Sequence, residues 1–237
     1  MKQNCLISIF YMILLFSLVA CAYQPDSHAE VEQIGAEHIE ARHKDSHANE
    51  HMNETSFEEL VQRFNSPERD AYQQPEKVLD YIGDVRGQSI LDIGSGTGYF
   101  SFKLARRGAN VIAGDVDDRF QDYMQNKIDT GSAPSVELRK LPYDSPALDA
   151  GEVDKVLIVN TYHHIEDRVI YFGRVLQGLK QNGELIVIDF KKQDGPGPSV
   201  EMKMSSSSVV AELKMAGFSS IDMNETLLEH QYILRAN

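Results

Sequence analysis

From residue 56 onward, short apolar runs alternate with stretches whose apolar residues recur at helical spacing. The first such stretch follows the capping-box pattern Ser56-Phe57-Glu58-Glu59, which predicts a helix that begins at Ser56. Further helices are predicted over residues 75–82, 99–108, 117–131, 167–183 and 208–218. Strands are predicted over 88–94, 110–116, 135–141, 154–160 and 184–190, and in the last two runs, 219–227 and 230–236.

This alternation predicts an α/β fold. Five strands that alternate with helices form a mostly parallel sheet, because each crossover returns the chain to the same direction, and helices then cover both faces. The last two runs are expected to form an antiparallel hairpin at one edge, which makes seven strands in total. The sequence contains 42% hydrophobic residues, which is enough to build a sizeable core.

The N-terminus carries a different pattern. Lys2 precedes an almost uninterrupted apolar run over residues 5–16, so residues 1–20 are predicted to be a secretory signal, too short to serve as a membrane span. Leu18-Val19-Ala20-Cys21 resembles the lipobox of bacterial lipoproteins. That resemblance implies cleavage before Cys21, acylation of this cysteine and anchoring in a membrane, facing the periplasm, with Ala22 favouring the outer membrane. An uncleaved N-terminal anchor is the alternative.

Residues 21–55 are polar and charged without apolar periodicity, which predicts a flexible tether between the anchor and a domain over 56–237. His43, His47 and His51 are spaced four apart, so a helix would place them on one face, where they could bind zinc or copper. A solvated, His-rich linker explains the same residues without metal, and the sequence predicts no metal site in the domain.

Charge and cysteine content exclude several function classes. The formal net charge is −13, which repels nucleic-acid phosphates and disfavours a nucleic-acid partner. The chain has two cysteines, Cys5 and Cys21, and only Cys21 remains after the expected cleavage. A disulfide framework and a cysteine nucleophile are therefore not expected in the domain.

The segment LDIGSGTGYF over residues 91–100 carries the most specific chemistry. A strand ends at Asp92-Ile93, and Gly94, Gly96 and Gly98 lead the chain into a helix. A dinucleotide fingerprint would place its third glycine one position later. The pattern instead resembles motif I of the class I S-adenosylmethionine (SAM) methyltransferases. The resemblance implies a Rossmann-like fold, SAM as cofactor, a glycine loop against its methionine part, and Asp92 serving the amino group. It also includes residues 68–79, which resemble a leader helix ahead of the first strand in some small bacterial methyltransferases. A purely structural turn is the alternative.

Two further carboxylates are candidates for the rest of the cofactor. Asp115 ends the second strand, where a carboxylate can accept hydrogen bonds from both ribose hydroxyls. Asp144 stands four residues before Leu148, and the resemblance to the methyltransferases makes it the candidate for the adenine amino group. A plain turn residue is the other interpretation of Asp144.

The methyl acceptor is expected at NTYHHIED, residues 160–167, where strand 154–160 ends. His163, next to Tyr162, is the candidate general base, although a satisfied histidine at a strand end explains it equally well. Adjacent histidines do not share one face easily, so His163 or His164 is expected to pack while the other faces the cleft. The Asn-Pro-Pro-Tyr signature of nucleic-acid amino methyltransferases is absent from the sequence.

The sequence therefore predicts a SAM-dependent methyltransferase whose acceptor is a small molecule rather than a nucleic acid. A nicotinamide-dependent oxidoreductase and a non-catalytic exported lipoprotein with a binding fold are the alternatives. Export conflicts with the cytoplasmic supply of SAM. Translation from Met52 would resolve that conflict, since it would leave the domain in the cytoplasm.

Overall fold

The computed structural model describes residues 54–237, which form a doubly covered α/β domain. Three helices precede the sheet: α1 (Phe57–Phe64), α2 (Pro67–Gln73) and α3 (Pro75–Ile82). The alternating part then contains β1 (Ser89–Ile93), α4 (Ser101–Arg106), β2 (Asn110–Asp115), α5 (Asp118–Asp129), β3 (Glu137–Lys140), β4 (Val153–Val159), α6 (Arg168–Gly178) and β5 (Leu179–Phe190). The chain ends with α7 (Ser206–Met215), β6 (Ile221–Asn224) and β7 (Gln231–Ala236).

The seven strands form one sheet in the order β3-β2-β1-β4-β5-β7-β6. Strands β1 to β5 pair in parallel, whereas β7 lies antiparallel to both β5 and β6. The predicted Rossmann-like fold with a C-terminal antiparallel pair is confirmed. The order reverses between β1 and β4, and ligands of open parallel sheets bind outside the carboxyl ends at such a switch point.

Apolar side chains fill both faces of the sheet. One cluster joins Leu91, Val156 and Val187 to side chains of α6 and α7, such as Phe172 and Leu213. The opposite cluster packs α3 and α4 on the sheet, and a smaller one adds α5, whose Met124 clusters with Phe102 of α4. Burial on both faces explains why these strands are continuous apolar runs rather than alternating ones.

Two helix predictions need correction. The leader helix expected over 68–79 is two helices, because Gln74 adopts a left-handed conformation (φ 43°) before Pro75, and a residue that precedes proline disfavours the helical region. The helix expected over 167–183 ends at Gly178. From Leu179 onward the chain pairs with β4, where Leu179 lies opposite Val153.

The predicted helix start at Ser56 is confirmed, since the Ser56 side chain accepts a hydrogen bond from the Glu59 amide (3.3 Å). At the start of α5, the Asp117 side chain accepts from the Arg119 amide (2.9 Å). Among residues 54–237, the helices are all too short or too polar to cross a bilayer. The secretory signal, Cys21 and the histidines of the tether lie outside the described residues.

Candidate functional site

The predicted site residues meet at the carboxyl edge of the sheet, around the β1–β4 switch point. The glycine loop follows β1, Asp115 ends β2, and Thr161 follows β4 by two residues. The amides of Gly94 and Ser95 both donate to the carbonyl of Gly114 (2.9 and 3.0 Å), which ties the loop to β2. The start of the loop is therefore fixed to β2.

Two glycines of the loop are required by space as well as by conformation. Gly94 has φ 72°, and a Cβ at this position would lie 2.6 Å from the Cγ2 atom of Thr161. Gly98 has φ 79°, and its Cβ would meet the ring of Phe102 at 2.5 Å and Met124 at 2.8 Å. Side chains at these positions would push the loop away from β4 and from α5, so the glycines allow the close approach that the motif needs.

Asp115 is buried and organises the same loop. Its Oδ2 atom accepts from the Gly96 amide (2.8 Å) and its Oδ1 atom from the Asp117 amide (2.9 Å). Burial raises the pKa of Asp115 to about 6, although these two amides oppose the shift. Each carboxylate oxygen keeps a second lone pair, so the ribose hydroxyls of a nucleoside could still donate to it.

Asp92 lies behind the loop and is only 3% exposed to solvent. Its Oδ2 atom accepts a hydrogen bond from the Ser101 hydroxyl (2.6 Å). Burial raises the pKa of Asp92 to about 6 as well; the Ser101 bond and the charge of Arg69 lower it, and the charge of Asp115 raises it. Within the described part of the chain, no cation forms an ion pair with Asp92. A buried carboxylate in this state favours a cationic ligand.

The helices α1 and α2 lie over the glycine loop, which the sequence pattern did not indicate. A Cβ on Gly96 would lie 3.4 Å from the ring of Phe64, the last residue of α1. The Thr97 hydroxyl donates to Asn65 (3.0 Å), and the guanidinium of Arg69 stacks 4.0 Å above the ring of Tyr99. Helical periodicity predicted α1, but not which surface would receive its apolar face.

His163 lies at the carboxyl end of β4, in the 3₁₀ turn Tyr162–His164. Its Nδ1 atom is 3.1 Å from Oδ2 of Asp189, near the end of β5, and both side chains are almost fully buried. The sequence analysis missed Asp189, although a carboxylate that ends a buried apolar strand is a usable signal. The tight turn holds the rings of His163 and His164 4.3 Å apart, so the expectation that adjacent histidines do not share one face is wrong; which of them faces the cleft stays a prediction.

Asp144 follows β3, and its backbone carbonyl and its carboxylate both accept from Arg174 of α6 (2.6 and 3.2 Å). The structure thus gives Asp144 a local ion-pair partner, and its role toward adenine stays a prediction. Among residues 54–237, no group of three or more His, Cys, Asp or Glu side chains could hold a metal ion.

Methyltransferases are among the known proteins that this chain resembles in sequence and fold. Residues 91–187 match the model of the methyltransferase domain family. The uncharacterized methyltransferase YdaC of Bacillus subtilis is 26% identical over 147 residues, covering 61% of this chain and 79% of YdaC. A tRNA U34 carboxymethyltransferase of Alteromonas mediterranea is 26% identical over 180 residues, covering 66% of this chain and 53% of that enzyme.

A SAM-dependent methyltransferase from Aquifex aeolicus has the same fold. Its crystal structure superimposes with a TM-score of 0.69 at 24% identity, covering 77% of this chain and 98% of that chain. Together with the match of residues 91–187 to the methyltransferase domain family, this shared fold supports a SAM-dependent methyltransferase with S-adenosylmethionine as its cofactor. The comparisons therefore favour a methyltransferase over the oxidoreductase alternative.

The residues of the site fit this cofactor. The glycine loop offers bare backbone at Gly96, where a side chain would fill the approach. Asp115 ends β2 and can hold the ribose, and Asp92 is a buried carboxylate suited to the ammonium group of the methionine part. The charges required by a cationic nucleoside cofactor are therefore in place.

Proposed function

We propose that this chain transfers a methyl group from S-adenosylmethionine to a small-molecule acceptor, with His163 as the general base. The observation that carries the base is the buried pair of His163 and Asp189 at the carboxyl ends of β4 and β5. The position of His163 beside the cofactor loop supports this role. A Cβ on Gly94 of that loop would meet Thr161, which lies two residues before His163.

The chemistry divides between cofactor and protein. S-adenosylmethionine, when bound, supplies a methyl group on a positively charged sulfur, so the protein mainly orients the reactants and excludes water. The carboxylate of Asp189 accepts a hydrogen bond from Nδ1–H of His163, which leaves Nε2 as the basic nitrogen. Nε2 then takes the proton that an acceptor hydroxyl or amine gives up on methylation.

The acceptor class rests on charge. With a net charge of −13, the protein repels phosphate backbones, and this favours a small molecule over RNA. Three of the relatives are by name tRNA enzymes, but this chain spans about half of their length or less.

The experiment follows label from radioactive S-adenosylmethionine into small-molecule, RNA and protein fractions of a cell extract. Label is expected in the small-molecule fraction, and a product confined to RNA would overturn the acceptor class. Absence of any turnover in the presence of tight cofactor binding would instead favour the non-catalytic binding fold.

The base is tested with variants of the same pair. His163→Ala is expected to lower turnover by roughly 10²- to 10⁴-fold and leave binding of S-adenosylhomocysteine unchanged. Asp189→Asn should lower turnover by a smaller factor, since it removes the orienting carboxylate but not the imidazole. His164→Ala, which removes the adjacent ring, is the matched control. Equal turnover of the His163 and His164 variants would contradict the assignment.

The location of the domain is a further part of this proposal. Lys2, the apolar run and the Leu-Val-Ala-Cys motif support a mature lipoprotein that begins at acylated Cys21, faces the periplasm and favours the outer membrane. Mass spectrometry of the native protein distinguishes this from translation at Met52. An acylated N-terminal Cys21, lost in Cys21→Ser, supports export. A soluble protein that begins at Met52 or Asn53 refutes it.

A further inference from the structure

Arg69 on α2 is a cation that forms no ion pair with any carboxylate of residues 54–237. Its guanidinium lies 4.0 Å above the ring of Tyr99, and one terminal nitrogen donates to the backbone carbonyl of Phe64 (3.0 Å). The Nε atom is buried and has no hydrogen-bond partner within residues 54–237. Two of its neighbours are thus an aromatic face and a carbonyl, which orient a guanidinium but do not neutralise it.

The nearby carboxylates are engaged elsewhere. Asp70 accepts from the hydroxyl of Tyr99, and Asp92 accepts from Ser101. Neither forms an ion pair with Arg69 in the described part of the chain, although the charges of both raise its pKa. Burial is the larger effect and lowers the pKa of Arg69, yet arginine stays protonated at physiological pH. An unpaired charge in such surroundings is costly, which is the usual sign of a missing partner.

The position of Arg69 tells which partner is missing. Phe64, whose carbonyl Arg69 contacts, lies over Gly96, and Tyr99 directly continues the glycine motif. Arg69 and Asp92 are therefore opposite charges beside one loop that do not pair with each other. An α-amino acid carries an ammonium and a carboxylate on one carbon, so it can satisfy both charges at once.

We propose that Arg69 binds the α-carboxylate of the methionine part of the cofactor while Asp92 receives its ammonium group. A guanidinium presents parallel N–H donors that match a carboxylate. Because Arg69 belongs to α2, the bound cofactor also fastens α1 and α2 over the glycine loop. This inference rests on the cofactor assignment and is independent of the acceptor and of His163.

The test compares two ligands in calorimetry: S-adenosylhomocysteine and its decarboxylated analogue, which keeps the amine. The wild-type protein is expected to bind S-adenosylhomocysteine roughly 10- to 150-fold more tightly, the range for hydrogen bonds to a charged group. In Arg69→Gln this preference should fall to near unity. Arg63→Gln is the matched control, because Arg63 is exposed and its guanidinium lies 5.6 Å from the same Phe64 ring.

Hydrogen exchange of residues 57–73 gives a second readout. S-adenosylhomocysteine should slow exchange there in the wild type and in Arg63→Gln, and the decarboxylated analogue should do so far less. Equal affinity of the wild type for both ligands would overturn the inference even if Arg69→Gln fails to fold. Loss of affinity in the variant for both ligands alike would also overturn it. Failure of the wild type to bind S-adenosylhomocysteine at all would overturn the cofactor assignment, and this inference with it.

Discussion

Replacing Asp92 by asparagine separates what this carboxylate costs the folded domain from what it contributes to cofactor binding. Asp92 is buried, its hydrogen-bond partner is Ser101, and no cation pairs with it in the described residues. Asparagine keeps the shape and an oxygen that Ser101 can donate to, but it removes the charge. The variant should therefore be more stable without cofactor and bind the cofactor worse.

The magnitude follows from the pKa of the carboxyl. Burial raises it from the ordinary 3.8 to about 6 in the folded domain, so the folded state holds a proton more tightly than the unfolded chain. The stability that this tighter proton binding gives the folded domain is fully present below pH 3.8 and is lost as the pH rises through about 6. At pH 7 the ionised carboxylate should thus lower the free energy of unfolding by up to about 3 kcal/mol relative to a neutral group.

Chemical denaturation of the cofactor-free domain at a series of pH values measures this directly. Asp92→Asn should exceed the wild type by up to about 3 kcal/mol at pH 7, and the difference should shrink toward zero below about pH 4. Asp154→Asn is a control of opposite sign, since Asp154 accepts from Lys180 and from the Ser89 amide and its pKa is lowered. That variant should lose stability at pH 7.

The reasoning is refuted if Asp92→Asn is less stable than the wild type at pH 7 or if their difference does not vary with pH. It is also refuted if S-adenosylmethionine stabilises both proteins equally. The ammonium group of the cofactor should offset the penalty for burying the Asp92 charge, and only the wild type carries that charge.

Two further substitutions test the loop. Asp115→Ala should weaken S-adenosylmethionine binding in calorimetry by at least about 1.5–3 kcal/mol, because the ribose hydroxyls and the Gly96 amide lose their acceptor. The control is Asp118→Ala at the exposed neighbouring position, which should bind the cofactor normally. Unchanged affinity in Asp115→Ala would refute the ribose role. Gly94→Ala should lower the free energy of unfolding by more than about 2 kcal/mol, since the new Cβ both strains the backbone and meets Thr161. Gly87 has the same φ of 72° but open space around it, so Gly87→Ala measures the backbone strain alone. Equal losses of unfolding free energy in the two variants would show that Thr161 does not restrict the loop.

The sequence alone determined the class of fold and the cofactor loop, because both depend on local patterns. Apolar runs that alternate with amphipathic stretches define buried strands and covering helices, and the acid followed by three glycines marks the turn after β1. Asp115 was found because a strand end is visible in the sequence. Local patterns were less reliable at Gln74 and at Leu179, where a proline and a strand pairing override helical periodicity.

The tertiary structure decided which residues meet across the carboxyl edge of the sheet. The pairing of His163 with Asp189 spans 26 residues and depends on β4 and β5 lying side by side. The approach of Arg69 to Tyr99 and Asp92 depends on α1 and α2 folding back over the loop. No periodicity along the chain encodes such contacts, because they follow from the strand order and from which apolar face covers which surface.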